Sequence, residues 1–113
     1  MHELGIMINV VETVEDIAKE NGLTQIEKLV LQIGELSYVI PRFAEACYPA
    51  AIDGTMLKNT KLEIEVLPGN CLCSNCKEVF NLIANNKICP NCQSEEWELL
   101  SGREFMIKEI VAC

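Results

Sequence analysis

Residues 71–92 read CLCSNCKEVFNLIANNKICPNC. Four of the five cysteines in this stretch form two pairs, Cys73-x2-Cys76 and Cys89-x2-Cys92, separated by twelve residues. A CxxC turn presents two thiols on one side, so two such knuckles can place four thiolates around one tetrahedral ion. A segment of ~25 residues cannot bury a core of its own. A structural metal supplies the missing stability, about 10–16 kcal/mol for zinc in small domains. Zinc is the expected ion; iron could occupy the same four sulfurs, but nothing in the chain calls for electron transfer. No thioredoxin-like βαβ pattern surrounds either pair, which argues against redox chemistry. Cys71 and Cys73 could exchange roles as ligands, although the spacing of the second knuckle favours Cys73. Four protein thiolates leave no open coordination position, so this centre is a scaffold or a sensor and not a catalyst.

The flanks place the cysteine segment within a larger fold. Upstream, KLEIEVLP (61–68) alternates, with Leu62, Ile64 and Val66 predicted to face a core and Glu63 and Glu65 to face water. Composition changes at Pro68-Gly69-Asn70, and REFMIKEIVA (103–112) returns to β-branched and aromatic residues. Strand, cysteine module, strand implies a module inserted between two strands of one sheet. Further upstream, IEKLVLQIG (26–34) reads as a nearly fully buried strand. Apolar residues at Ile6, Val10, Val14 and Ile17, flanked by Met7, Val11 and Ala18, predict a helix from Gly5 to Glu20 that stops at Asn21-Gly22. A second helix is expected from Pro41 to about Ile52, with Phe43, Ala46, Cys47 and Ala50 on its apolar side and a kink or early end at Pro49. The expected fold class is α+β: a small three-stranded sheet packed with two helices, carrying an inserted zinc-ribbon-like module. The expected units are residues 1–69 with 97–113, and the module 70–96.

Bulk properties narrow the function. A net charge of −8 opposes binding to a phosphate backbone, so no nucleic-acid partner is expected. No basic n-region precedes an apolar stretch and no run approaches ~18 apolar residues, so a cytoplasmic protein without a membrane partner is expected. In a reducing compartment, seven cysteines read as thiols or metal ligands. Cys47 reads as a small buried hydrophobe on a helix, and Cys113 as a free thiol without a role. With one histidine in the chain, at position 2, and no nucleophile–base constellation, an enzyme is not expected.

That histidine lies in MHELG (1–5). The α-amine of Met1, the backbone nitrogen of His2 and its Nδ1 can close adjacent five- and six-membered chelate rings. Three nitrogens then share a plane, and Glu3 can supply a further position. Such geometry suits Ni(II) or Cu(II) and not zinc. The amine and imidazole must be deprotonated to bind, so affinity should fall as pH drops through ~6.5–8.

MHELGIM, the long first helix, LQIGELS, the LEIEV strand and CxxC-x12-CxxC together resemble the HypA/HybF hydrogenase nickel-incorporation family, over essentially the whole chain. The resemblance implies a nickel site at Met1, His2 and Glu3, and structural zinc at Cys73, Cys76, Cys89 and Cys92. It implies a cytoplasmic metallochaperone; a monomer or a weak homodimer is expected. Such a protein passes nickel to the NiFe-hydrogenase large subunit precursor, works with a HypB-like GTPase, and in some organisms also serves urease. Two departures stand out. Some members carry an acidic nickel ligand in the loop after IGE, where this chain reads SYVIPR with Ile40 at about that place. Some also carry histidines beside the zinc cysteines, and this chain has none. The competing expectation is a zinc-ribbon adaptor or nucleic-acid module without nickel function, which Lys77 and Lys87 alone would have to serve against Glu78, Glu95 and Glu96.

Overall fold

The first sheet is built around IEKLVLQIG, which forms strand β1 (Ile26–Gly34). Its Leu29, Leu31 and Ile33 are fully buried, and Val30 on the opposite face is also covered. Burial on both faces marks a central strand. The computed structural model describes residues 2–112. β1 pairs in parallel with β2 (Lys61–Leu67) and antiparallel with β6 (Phe105–Ala112), giving the order β2-β1-β6. A parallel pair needs a crossover connection, and α2 (Pro41–Ile52) lies within it. α1 (His2–Glu20) packs beside α2. Their apolar faces meet Leu29, Leu31 and Ile33 in one core that contains Met7, Val11, Val14, Ala44, Tyr48 and Leu57.

The helices differ from the sequence expectation in instructive ways. α1 begins at His2, not Gly5. Its buried stripe runs Glu3, Met7, Val10, Val11, Val14 and Ala18, leaving Ile6 and Ile17 at the margin. It ends as expected, with Gly22 at φ 67° and the Leu23 amide donating to the Ala18 carbonyl at 2.8 Å. α2 is rotated by about one residue from the expected face. Ala44, Tyr48 and Ala51 are buried, Phe43, Ala46 and Ala50 are exposed, and Cys47 is half-buried. Tyr48 fits this rotation: buried on the inner face, its hydroxyl donates to the Thr60 carbonyl at 2.9 Å. Pro49 neither ends nor shortens the helix, which continues to Ile52. Pro49 and Glu45 are both exposed, so the Glu45 carbonyl that loses its i+4 donor faces water. Val66 is exposed, not inward, because β2 is a sheet edge with a neighbouring strand on one side only; Leu62 and Ile64 do pack on the core.

The cysteine stretch forms a second three-stranded sheet, β3 (Asn70–Cys73), β4 (Val79–Asn81) and β5 (Trp97–Leu99), in the order β4-β3-β5. It lies in sequence between β2 and β6 of the first sheet. Trp97–Leu99, on the far side of the expected boundary at 96, pairs here with β3. A separate cluster of Cys71, Cys73, Phe80, Leu82 and Cys89 fills it, with Leu36 and Trp97 packed alongside. The molecule measures 54 × 28 × 16 Å with a radius of gyration of 17.6 Å. A single rounded domain of this length has about 13 Å, so the two sheets form an extended body. Where the chain passes between them, Gly34, Gly69 and Gly102 crowd together. A Cβ on Gly34 would overlap the Gly102 carbonyl, and one on Gly102 would come within 2.5 Å of the Gly69 Cα. Gly102 also needs its φ of 114°.

Candidate metal centres

Each knuckle is the same turn built twice. The Cys73 amide donates to the Glu78 carbonyl at 2.8 Å, and the Cys89 amide to the Ser94 carbonyl at 3.0 Å. The Lys77 amide returns to Cys73 O at 3.0 Å, and the Gln93 amide to Cys89 O at 2.9 Å. Lys77 and Gln93, each one residue past its CxxC pair, adopt left-handed φ values of 65° and 60°. The duplicated turns aim their thiols at a common point. The sulfurs of Cys73, Cys76, Cys89 and Cys92 all lie within 4.8 Å of one another, with Cys73–Cys92 at 3.5 Å and Cys76–Cys89 at 3.6 Å. A tetrahedron with zinc–sulfur bonds of ~2.3 Å has edges of about 3.8 Å, so this donor set fits zinc. A disulfide does not fit, since bonded sulfurs lie ~2.05 Å apart.

Local dipoles differentiate the thiols. The Cys76 amide, above all, draws the Cys73 thiol down to about 6, whereas burial pushes Cys89 up to about 11. The Asn91 side chain is the main influence lowering Cys76, and Asn75 Nδ2 donates to Cys92 Sγ at 3.5 Å. The asparagine of each knuckle thus serves the second cysteine of the other. The signal was visible as the shared Asn in CSNC and CPNC, though spacing alone did not single it out. Cys71 lies outside the cluster, buried, its thiol directed at the Phe80 carbonyl at 3.5 Å. Cys47 packs against the core of the first sheet; Cys113 lies outside the described residues.

At the amino end, Met1 lies outside the described residues. His2 and Glu3 begin α1. The His2 side chain is 60% exposed and that of Glu3 only 7%, with His2 Nε2 3.0 Å from Glu3 Oε2. Nε2 also lies 3.1 Å from the Tyr38 carbonyl oxygen. A carbonyl can only accept, so Nε2 is the donor in this contact, which in a neutral imidazole leaves Nδ1 with its lone pair. Tyr38 belongs to the loop joining β1 to α2, and a backbone carbonyl leaves no trace in a motif search. The same loop brings no acid to His2; Ile40 is the N-cap of α2.

Residues 1–112 match the family described as "Hydrogenase/urease nickel incorporation, metallochaperone, hypA". The hydrogenase maturation factor HypA of Geobacter sulfurreducens is 37% identical over 97% of this chain and 97% of its own length. That of Trichodesmium erythraeum is 39% identical over 97% of this chain and 94% of its own. Among solved structures, the solution structure of the Ni metallochaperone HypA from Helicobacter pylori superposes with a TM-score of 0.67 at 21% identity, covering 97% of this chain and 96% of that one. A second solution structure of a HypA protein gives 0.71 at 23% identity, covering 100% and 97%. These two structures share the α+β fold. Duplicated knuckles, a terminal histidine and a match along essentially the whole length place this chain in the HypA family of nickel-incorporation metallochaperones, which are maturation factors and not enzymes.

Proposed function

We propose that the chain binds Ni(II) through Met1, His2 and Glu3 and delivers it to the NiFe-hydrogenase large subunit precursor, or to urease, in the cytoplasm with a HypB-like GTPase. The contact of His2 Nε2 with the Tyr38 carbonyl carries this reading, because in a neutral imidazole it leaves Nδ1 free to take a metal ion. The first N–H groups of a helix have no intrahelical acceptor, so the His2 amide can be deprotonated without breaking α1. The helix N-terminus opposes a cation with roughly half a positive charge. The Glu3 carboxylate and a deprotonated amide each bring a full negative charge and outweigh it. His2 is exposed, so an acceptor can replace the ligands one at a time. Tyr38 O and Glu3 hold the imidazole in place while this happens.

Zinc at Cys73, Cys76, Cys89 and Cys92 would supply structural cross-linking to the second sheet. We further propose that residues 1–69 with 97–113 act as the nickel unit and 70–96 as the zinc unit, although β5 pairs in the second sheet. The experiment is a Ni(II) titration of zinc-loaded protein with its native terminus, followed by calorimetry and visible absorption. Controls are His2→Ala and a chain extended by two residues before Met1. One nickel per chain with a planar-nickel band, abolished in both controls, is the expected result. Binding unchanged in the controls would move nickel to the cysteines or acids and sink the terminal site.

A further inference from the structure

Glu35 is the first residue after β1, and its carboxylate is held by residues of the second sheet's side of the molecule. Its Oε1 accepts two hydrogen bonds, from the Gly69 amide at 2.6 Å and from Asn81 Nδ2 at 2.9 Å. Gly69 is the joint between the two sheets, and Asn81 is the last residue of β4. One carboxylate on the first sheet therefore grips both the joint and a strand of the second.

The surroundings make the grip directional. Asn81 is held at three points besides Glu35: Nδ2 donates to Asn70 Oδ1 at 3.3 Å, Oδ1 accepts from the Ala84 amide at 2.9 Å, and its carbonyl accepts from Asn85 Nδ2 at 2.8 Å. Glu35 is tied to its own sheet by its amide, which donates to the Leu67 carbonyl at 2.8 Å. The next residue adds a second attachment. The Leu36 amide donates to the Gly102 carbonyl at 2.7 Å, and its side chain packs with the second cluster. The Gly69 amide, followed by Asn81, holds the Glu35 carboxyl below the usual carboxylate range, so the acceptor is the charged form, which makes the stronger bond.

We propose that Glu35 is a positioning residue, a clasp that fixes the four-cysteine sheet in one orientation against the helical unit. The joint itself is built on closely packed glycines, with the Leu36 amide on Gly102 O and Ser101 Oγ bridging the Asn70 amide and Pro68 O; the carboxylate adds the tie that reaches β4 and so fixes the angle. This goes beyond the nickel reading and does not depend on it.

The test uses zinc-loaded full-length protein and residual dipolar couplings of backbone amides in the two sheets. In the native chain, one alignment tensor should fit both. In Glu35→Ala, each sheet should still fit its own tensor, with that of the second sheet shrinking by about a factor of two as it begins to move. N81D should do the same by setting two carboxylates face to face. The pair E35Q with N81D should restore the single tensor, because the amide at 35 can accept from Gly69 while donating to the new carboxylate. Restoration by the pair is what a merely space-filling role would not produce. One tensor retained in Glu35→Ala overturns the proposal. So does loss of structure within the second sheet in both single variants, which would make Glu35 part of that sheet's own folding and not a clasp.

Discussion

Tyr48 shows how much one buried hydroxyl can decide. It donates to Thr60 O, and the Thr60 hydroxyl donates in turn to Ile26 O at 2.7 Å, so the chain closes back onto the start of β1. Burial raises the phenol to about 12. A group whose folded value lies above its unfolded value, near 10, contributes stability that is whole below about pH 10. That contribution is lost as pH climbs toward 12. Tyr48→Phe should therefore cost about 1 kcal/mol at neutral pH. Its deficit should vanish between pH 10 and 12, as read from paired thermal melts. A deficit that stays constant across that window would mean the hydroxyl is not the cause. At this scale the sequence was partly readable. The cluster of four cysteines follows from spacing, and Asn75 is marked only by its repeat in CSNC and CPNC, whereas Tyr38 O and the left-handed Lys77 and Gln93 carry no pattern tied to metal.

Strands proved more legible than helix faces. The bounds of β1 and α2 follow from Gly34, Pro41 and the apolar runs between, and both match the structure. The face of α2 was not legible. Ala44, Ala46, Cys47, Ala50 and Ala51 offer two apolar stripes one residue apart, and Thr60, which accepts from the buried Tyr48, lies twelve residues downstream of it. The cost of an interior proline is highest in a buried helix, but Pro49 sits on the wet side. Pro49→Ala should return a donor to Glu45 O and stabilise the protein by about 1–3 kcal/mol, measured by urea unfolding; a loss of stability would show that proline's restriction of the unfolded chain dominates. β6 carries a further device that pattern reading missed. Its register against β1 shifts between Val30 and Leu31, leaving Lys108 and Glu109 both exposed in mid-strand. Lys108 reaches across to Glu65 at 2.9 Å. A bulge with charges blunts an edge strand against pairing with other chains.

For the molecule as a whole, two small cores held by different means predict unequal responses to metal loss. The first core is mainly apolar, its buried Tyr48 and Thr60 hydroxyls bonded to backbone carbonyls. The second is small and built largely from cysteines, so a metal held by them would supply most of its folding free energy. Chelation at neutral pH should abolish amide protection in β3, β4 and β5 while leaving α1, α2, β1, β2 and β6 protected, as read by hydrogen exchange. Uniform loss of protection would show a single cooperative unit. This bipartite build was visible in the sequence because metal spacing and strand alternation are both local signals. The angle between the parts was hidden, since Glu35, Gly69, Asn81 and Gly102 are far apart in the chain and resemble no motif. The crowding of Gly69 against Gly102 has an engineering consequence. The residues at which the chain leaves and rejoins the first sheet are already neighbours, so the whole loop of sequence between them can be excised and the ends fused without stretching a strand. The same suture would accept a foreign ribbon as a graft, making this fold a socket for exchangeable metal modules.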